Sequence, residues 1–292
     1  MAQNGRVQAQ KRLKSVRSFI VLLLNILLVS VVIVFALKLN SSTPESRAEV
    51  AVYVGGRFMQ ASGLITWENG VTATLRMLKW INVTVKAVTA QGINNNELDG
   101  FLALYVPGGD MYQYSLEISA KGRENIQSFV ETGGGYVGVC EGAFFASESY
   151  RWSNPKHRCM KSTLGLLAGT AVGPIDAFSR YPNYTMVKIS IANNAHVIVN
   201  SEPEFHWMLY DGGPAFAPRP ATNAVILANY DESNDSAIVA FERGLGRVFL
   251  IGAHPEFEEG SDRDGVTFEN ELEDNGSDWD LMRKAVLWCM KR

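Results

Sequence analysis

Short apolar runs bordered by glycine are the feature that most constrains the fold of this chain. Three of them, at 49–56, 100–106 and 135–139, read as buried parallel strands, each followed by a loop or tight turn. Strands that alternate with helices in this way imply right-handed crossovers and a mostly parallel sheet. Ligands bind such sheets at the carboxyl ends of the strands, which directs attention to "VPGG" and "GVCEG".

The other predicted elements extend this α/β pattern. Helices are expected near 62–79, 112–131 and 141–150, with a strand at 82–88. The inward positions of the first helix are expected to be Leu64, Leu75, Leu78 and Trp80. Residues 165–250 are expected to be more antiparallel, with strands at 186–191, 196–200, 224–230, 236–242 and 246–252. A hairpin at "ERGLGR" joins the last two, and the C-terminal amphipathic helix is expected to bury Leu281, Ala285, Trp288 and Cys289.

The N-terminal part differs from the rest in charge. Residues 1–38 carry six basic side chains and no acidic one, whereas residues 39–292 hold 21 basic against 30 acidic residues. An acidic globular part without a basic stripe argues against a nucleic-acid partner. Between Arg17 and Lys38 lie 20 uncharged residues, "SFIVLLLNILLVSVVIVFAL". A helix of that length is about 30 Å long, which is enough to cross a bilayer.

This pattern predicts a signal-anchor with its N-terminus in the cytoplasm. A buried core helix would show a polar face, and a cleavable signal peptide would have a shorter apolar region and a small-residue cleavage site. Five basic residues before the span hold the N-terminus inside. The expected organisation is a basic segment 1–17, a transmembrane anchor 18–38, a linker 39–48 and an extracytoplasmic α/β domain 49–292. The membrane is thus one predicted partner.

The stretch "GVCEG" places Cys140 between two glycines, at the junction of a predicted strand and a predicted helix. The serine version of this arrangement is the nucleophile elbow, a strained turn that raises the nucleophile above the sheet. Gly138 and Gly142 would let the helix pass close to the strand. A thiol at a helix start is also favoured as thiolate, the reactive form. The alternative is a small apolar side chain that fills a tight turn.

A base for this thiol is found in "HPEFE", directly after the last predicted strand. Glu256 could bond one ring nitrogen of His254 and leave the other facing the cysteine, as in a catalytic triad. Structural roles are the default for the other three histidines, His157, His196 and His206.

In this order, "GVCEG" and "HPE" resemble the Cys–His–Glu signature of the class I glutamine amidotransferase-like superfamily. Within it, "VAVYVGG", "VPGGD", "FVETGGGYVGVCEGAFFAS" and "YDGGPAF" resemble the N-terminal domain family of eukaryotic-type biotin–protein ligases, over about residues 49–260. The resemblance implies a flavodoxin-like, three-layer α/β fold. It also implies Cys140 as nucleophile, His254 as base and Glu256 as the group that orients the base.

Two backbone N–H groups are expected to stabilise an oxyanion. Elbow geometry suggests that of Glu141, and the resemblance implies that of Gly109. Gly108 and Gly109 would let the backbone approach a ligand, and with Asp110 they are expected at the substrate site; a tight turn with Asp110 as N-cap is compatible with this. The Glu141 side chain either tunes the thiol by its charge or is a favourable acid in the first helical turn.

A further set of ligand contacts is expected in the tract 201–222, which is predicted to wall the pocket. These residues, from "YDGGPAF", are Tyr210, Asp211, Gly212 and Gly213. A turn that supports the sheet is the equal alternative. Elsewhere, Cys159 and Cys289 could form a disulfide or be two free thiols.

Departures from the resembled families limit the expected function. Glutamine-hydrolysing members usually have glutamine four residues after the cysteine, where this chain has Phe144, and no biotinyl-adenylate loop occurs. The expected function is therefore a cysteine hydrolase or acyl-transferase that acts on an unidentified small-molecule or peptide-like amide through a thioester. The alternative is a non-catalytic ligand-binding or sensor module.

No cofactor or metal is expected from the sequence. The segment "GGGYVG" (133–138) leads from a helix into a strand, the opposite context to a dinucleotide fingerprint. Paired CxxC motifs and HExxH are missing.

Overall fold

The computed structural model describes residues 48–55, 67–153, 162–258, 260–267, 270–272 and 276–292. The predicted basic segment and transmembrane anchor, Leu64 and Cys159 lie outside the described residues. Within the described ranges, no helix combines the length and the apolar character needed to cross a membrane.

Strands and helices alternate in the first half of the domain, and strands dominate the second half. The strands are β1 (Val50–Tyr53), β2 (Val85–Val88), β3 (Ala103–Val106), β4 (Gly135–Val139), β5 (Ser147–Trp152), β6 (Leu167–Gly173), β7 (Thr185–Ile191), β8 (Phe205–Tyr210), β9 (Ala215–Pro218), β10 (Val225–Tyr230), β11 (Ser236–Arg243) and β12 (Gly246–Ile251). The helices are α1 (Trp67–Ile81), α2 (Ala90–Asn94), α3 (Met111–Glu117), α4 (Ala120–Glu131), α5 (Glu141–Ala146) and α6 (Trp279–Cys289).

The described strands form a single sheet whose main path runs β2-β1-β3-β4-β12-β11-β10-β7-β8. The first five strands on this path are parallel to their neighbours. From β12 onward the pairing is antiparallel, beginning with the predicted β11–β12 hairpin. β9 connects β11 to β6, and β6 pairs in parallel with β5. Because β4 and β12 are parallel neighbours, with Val139 opposite Ile251, their carboxyl ends lie side by side.

Side chains of the parallel strands alternate between two apolar cores, one on each face of the sheet. Val50 and Val52 of β1 belong to the core that includes α1 and α6, and Ala51 and Tyr53 belong to the core that includes α2 to α5. This gives three layers, a mixed α/β architecture consistent with a flavodoxin-like fold.

The helix predicted at 112–131 is two helices, α3 and α4. Ile118 adopts an extended conformation (φ −81°, ψ 104°) between them. Ser119 then caps α4 by accepting a hydrogen bond from the Gly122 N–H at 3.1 Å. A local side chain-to-backbone bond thus interrupts a continuous helical pattern.

The helix predicted at 141–150 is wrong in its second half, where β5 follows α5 directly. β5, with the sequence "SESYRW", pairs with β6. Neither strand was predicted. Nor were β8, β9 and α2 predicted. The strand predicted at 196–200 is instead a series of turns, with the Val199 N–H bonded to the His196 carbonyl at 3.0 Å.

Inward positions of the helices are mostly as predicted. Leu78 is buried, but Trp80 is 42% exposed because it lies at the margin of α1, edge-on to Trp279. In α6, Leu281, Ala285 and Cys289 are buried and Trp288 is partly buried against the core. Cys289 is a free thiol that donates to the Tyr136 carbonyl at 3.6 Å.

Candidate active site

Cys140 occupies the turn between β4 and α5 in a strained backbone conformation, with φ 50° and ψ −111°. A positive φ costs a residue with a side chain about 1–2 kcal/mol, so the surrounding structure must impose it. Part of that constraint is the Cys140 N–H, which donates to the Ile251 carbonyl of β12 at 2.9 Å. A Cβ on Gly142 would lie 2.1 Å from the Val106 carbonyl oxygen, so glycine is required for α5 to pass this close to β3.

His254 lies beyond the carboxyl end of β12, beside this turn. Its N–H donates to the Leu209 carbonyl at 2.9 Å, which fixes the backbone after β12 as an isolated bridge to β8. Its Nδ1 is 2.9 Å from Oε1 of Glu256, and both side chains are buried. Glu256 therefore orients the ring in the manner expected from the sequence.

The structure brings the sulfur, a carboxylate and the imidazole together. Sγ of Cys140, a carboxylate oxygen of Glu141 and a ring nitrogen of His254 all lie within 4.8 Å of one another. The first two follow β4 and the third follows β12, so the pairing of these strands creates the cluster.

Burial raises the pKa of the Cys140 thiol well above its usual value, and the neighbouring negative charge of Glu141 raises it further. Burial and the charge of Glu141 thus outweigh the thiolate stabilisation expected from a helix start. For His254, burial lowers the pKa, but the charge of Glu256 and the hydrogen bond to it outweigh burial and raise the pKa.

One predicted oxyanion donor is already engaged. The Gly109 N–H donates to Oε2 of Glu141 at 3.1 Å. Burial raises the pKa of Glu141, opposed by the nearby His254, by a hydrogen bond with Cys140 and by this bond from Gly109. The side chain of Glu141 thus occupies the position where an oxyanion would accept from Gly109. The sequence had indicated this side chain only as a charge near the thiol or as an acid in the first helical turn.

The "VPGG" turn lies directly against the cluster. A Cβ on Gly108 would meet Cε1 of His254 at 2.6 Å and Cβ of Cys140 at 3.3 Å. Asp110 is the N-cap of α3, as the sequence allowed, and accepts from the Tyr112 N–H at 2.9 Å. The hydroxyl of Tyr114 donates to the Gly108 carbonyl at 2.9 Å. No sequence motif marks Tyr114, although it holds the turn in place.

The "YDGG" segment packs on the sulfur from another side. Sγ of Cys140 donates to the Asp211 carbonyl at 3.7 Å, and a Cβ on Gly213 would lie 3.2 Å from that sulfur. Tyr210 acts as a support for the turn, since its hydroxyl donates to the Gly213 carbonyl at 2.9 Å. Gly212 has φ 75°, a conformation that glycine adopts without strain.

Tyr181 is a neighbour that the sequence did not indicate. A Cβ on Gly212 would lie 2.8 Å from its ring. Burial raises the pKa of Tyr181, and so do the charges of Glu141 and Asp211. Its ring packs edge-on to Trp152 of β5, so the unpredicted strand helps to wall the site.

Residues 49–287 match the family model described as "Biotin-protein ligase, N terminal". The chain belongs to this family. The match extends beyond the 49–260 resemblance seen in the motifs and includes α6 as far as residue 287. Biotin–protein ligase from Schizosaccharomyces pombe is 31% identical over 164 residues, which cover 53% of this chain and 25% of that relative. This family member therefore spans about a quarter of the relative's length.

Solved structures support the fold of this biotin–protein ligase N-terminal family member. A protein named as part of a GMP synthase, from Thermoplasma acidophilum, is similar with a TM-score of 0.51 and 15% identity, over 84% of this chain and 95% of the other. A β-galactosidase from Rahnella sp. R3 reaches a TM-score of 0.54 at 15% identity, over 84% of this chain and 31% of the other. At these identities the likeness concerns the fold alone.

Proposed function

We propose that this protein is a cysteine-dependent hydrolase or acyl-transferase that acts on an amide or peptide-like substrate through a thioester. Cys140 is the nucleophile, His254 the base and Glu256 the residue that orients the base. The supporting observation is that the Cys140 sulfur and a His254 ring nitrogen lie within 4.8 Å of each other, while Oε1 of Glu256 lies 2.9 Å from Nδ1 of the same ring.

In the first half of the reaction, His254 takes the thiol proton as Sγ bonds to the substrate carbonyl carbon. The oxyanion that forms accepts from the Glu141 N–H and, once the Glu141 side chain has moved aside, from the Gly109 N–H. Collapse of this intermediate breaks the bond to the leaving nitrogen, which receives the proton from His254. Cys140 is left as a thioester.

In the second half, water or an acceptor amine attacks the thioester carbon and His254 takes its proton. The carbon–sulfur bond then breaks, and the proton returns to the sulfur. Water as the attacking group makes the protein a hydrolase, and an amine makes it an acyl-transferase.

A second candidate is a ligand-binding or sensor module that keeps the fold without turnover. Two observations favour it. The pKa of the Cys140 thiol is raised, so the resting sulfur is a weak nucleophile. The Gly109 N–H is bonded to Glu141, so the oxyanion donors are incomplete at rest.

An acyl-trapping screen separates these two candidates. Purified protein is incubated with panels of amides and thioesters, and the acyl group is sought on Cys140 by mass spectrometry. Turnover is expected to fall at least about a thousandfold in Cys140→Ala. Cys289→Ala, which changes the other described cysteine, is the matched control and should keep turnover. Equal turnover in Cys140→Ala and wild type would overturn the nucleophile, and binding without turnover would favour the second candidate.

We also propose that residues 18–38 anchor the protein in a membrane with the domain on the extracytoplasmic side. The uncharged stretch and the basic residues before it support this topology. Protease added to sealed cells should digest the domain only when it faces outward. Protection of the domain in intact cells, with digestion after lysis, would reverse the proposed orientation.

A further inference from the structure

The cluster around Cys140 offers three kinds of donor atom. The sulfur of Cys140, a carboxylate oxygen of Glu141 and a ring nitrogen of His254 lie within 4.8 Å of one another, and all three residues are buried. Thiolate, carboxylate and imidazole are the ligand types that zinc takes in proteins, and catalytic zinc sites use three protein ligands with a fourth position open.

We propose that Cys140, Glu141 and His254 form a three-ligand site for a divalent cation of the zinc type, and that the bound cation holds the sulfur and blocks its use as a nucleophile. The thiol proton is released to solvent when the sulfur binds the cation. The sequence shows no metal-site spacing motif here, because Cys140 and Glu141 are adjacent and His254 lies 114 positions after Cys140.

The neighbours of these ligands suit a metal site. His254 contacts Glu256 through Nδ1 at 2.9 Å, so its other ring nitrogen is available to a cation. Metal-bound histidines generally have such a carboxylate partner, which fixes the ring and strengthens the ligand. Oε2 of Glu141 is held by the Gly109 N–H at 3.1 Å, which orients the second ligand.

The distances require only a small closure of the cluster. Ligand atoms around tetrahedral zinc lie about 3.5 Å apart, given bond lengths of roughly 2.0–2.3 Å. Atoms within 4.8 Å of one another therefore need to approach by about 1.3 Å at most. Torsional adjustment of the Cys140 and Glu141 side chains supplies a movement of this size, while the backbone stays in place.

Cobalt(II) is the probe that tests the site, because a thiolate bound to it gives a charge-transfer band in the near ultraviolet. The full chain, freed of metal, is titrated with Co²⁺ and then with Zn²⁺ as competitor. The band should appear in wild type and in Cys289→Ser, and be lost in Cys140→Ser. Zn²⁺ affinity should fall at least about tenfold in Glu141→Gln, and about 10- to 100-fold in Glu256→Gln, which acts by positioning His254.

The absence of the band in wild type, or equal Zn²⁺ affinity in wild type and Cys140→Ser, would overturn the proposal. Circular dichroism of each variant verifies that the fold is kept. The proposed catalysis is tested on metal-free protein by acyl trapping, so the two proposals fail separately. If the cobalt band appears but no acyl adduct is found, the metal site is supported and the proposed catalysis is not.

Discussion

The backbone N–H of Gly109 donates a 3.1 Å hydrogen bond to the side-chain carboxylate of Glu141. The backbone and the side chain of Glu141 therefore have opposite effects at the expected oxyanion position. Its own N–H is one of the donors expected there, and its side chain engages the other donor. In the proposed acyl chemistry, a substrate oxyanion and this carboxylate would compete for the same N–H, so the Glu141 side chain would have to move first.

Glu141→Gln should increase the reactivity of Cys140. Glutamine keeps the shape and an acceptor for Gly109 but removes the negative charge that raises the thiol pKa. A pKa lower by one unit increases the thiolate fraction about tenfold, so alkylation by iodoacetamide at pH 7 should be about tenfold faster. Glu124→Gln, on the exposed side chain of α4, is the matched control. An unchanged rate in Glu141→Gln would contradict this electrostatic role.

Gly108→Ala should displace the His254 ring without unfolding the domain. The new Cβ would lie 2.6 Å from Cε1 of His254, and the Gly108 carbonyl is held by the Tyr114 hydroxyl. In wild type, His254 should accept the Cys140 proton once its own proton is lost, so alkylation of Cys140 should speed up as the ring deprotonates. A displacement of about 1 Å costs roughly a hundredfold in rate, so this rise should disappear in Gly108→Ala.

Gly92→Ala provides the comparison for that variant. Its Cβ would meet only the far end of the flexible Glu97 side chain, at 3.0 Å. We expect a wild-type pH profile for this variant. A wild-type profile in Gly108→Ala as well would mean that the ring does not depend on the glycine.

His206 should make the stability of the fold depend on pH. Burial lowers its pKa, but the hydrogen bond to Asp278 (2.7 Å) and the charges of Asp278 and of Glu202, 3.2 Å from Nε2, outweigh burial and raise the pKa to about 9. Because the folded pKa is above the unfolded value of about 6.5, this contribution is complete below pH 6.5 and is lost as pH rises through 9. We expect a loss of about 3 kcal/mol in the free energy of unfolding over that interval.

Urea unfolding at pH 6 and pH 9.5 measures this loss. His206→Asn should be less stable at pH 6 and should lose most of the pH dependence. His196→Asn is the control, since burial lowers the pKa of His196 and the opposite trend applies to it. If the two variants showed the same pH dependence, the ion pairs of His206 would not be its source.

Gly142→Ala should destabilise the domain far more than Gly165→Ala. A Cβ at position 142 would lie 2.1 Å from the Val106 carbonyl, which is in a buried strand and cannot move aside. Overpacking of this kind costs about 3 kcal/mol or more. Gly165 has φ 62° and open space around it, so alanine there costs only about 1 kcal/mol of backbone strain. Equal shifts in the denaturation midpoint would contradict the steric argument.

The local sequence pattern was sufficient to predict strands in the parallel part of the sheet. The strand at 135–139 has the predicted bounds, and the runs at 49–56 and 100–106 contain β1 and β3. Continuous apolar runs identify strands buried on both faces, and the glycines after them identify the loops. The same reasoning failed for 141–150, because β5 is stabilised by pairing with β6, a partner about 20 residues away. Such pairing leaves only a weak local signal.

The sequence alone determined that Cys140 directly follows one strand and His254 another, because the apolar runs before them mark where those strands end. The tertiary structure decided that β4 and β12 are neighbours, that the Glu141 side chain turns to Gly109, and that burial raises the pKa of the Cys140 thiol. These three results depend on contacts between residues far apart in the chain and on burial, which arise only when the domain folds and excludes water from the groups concerned.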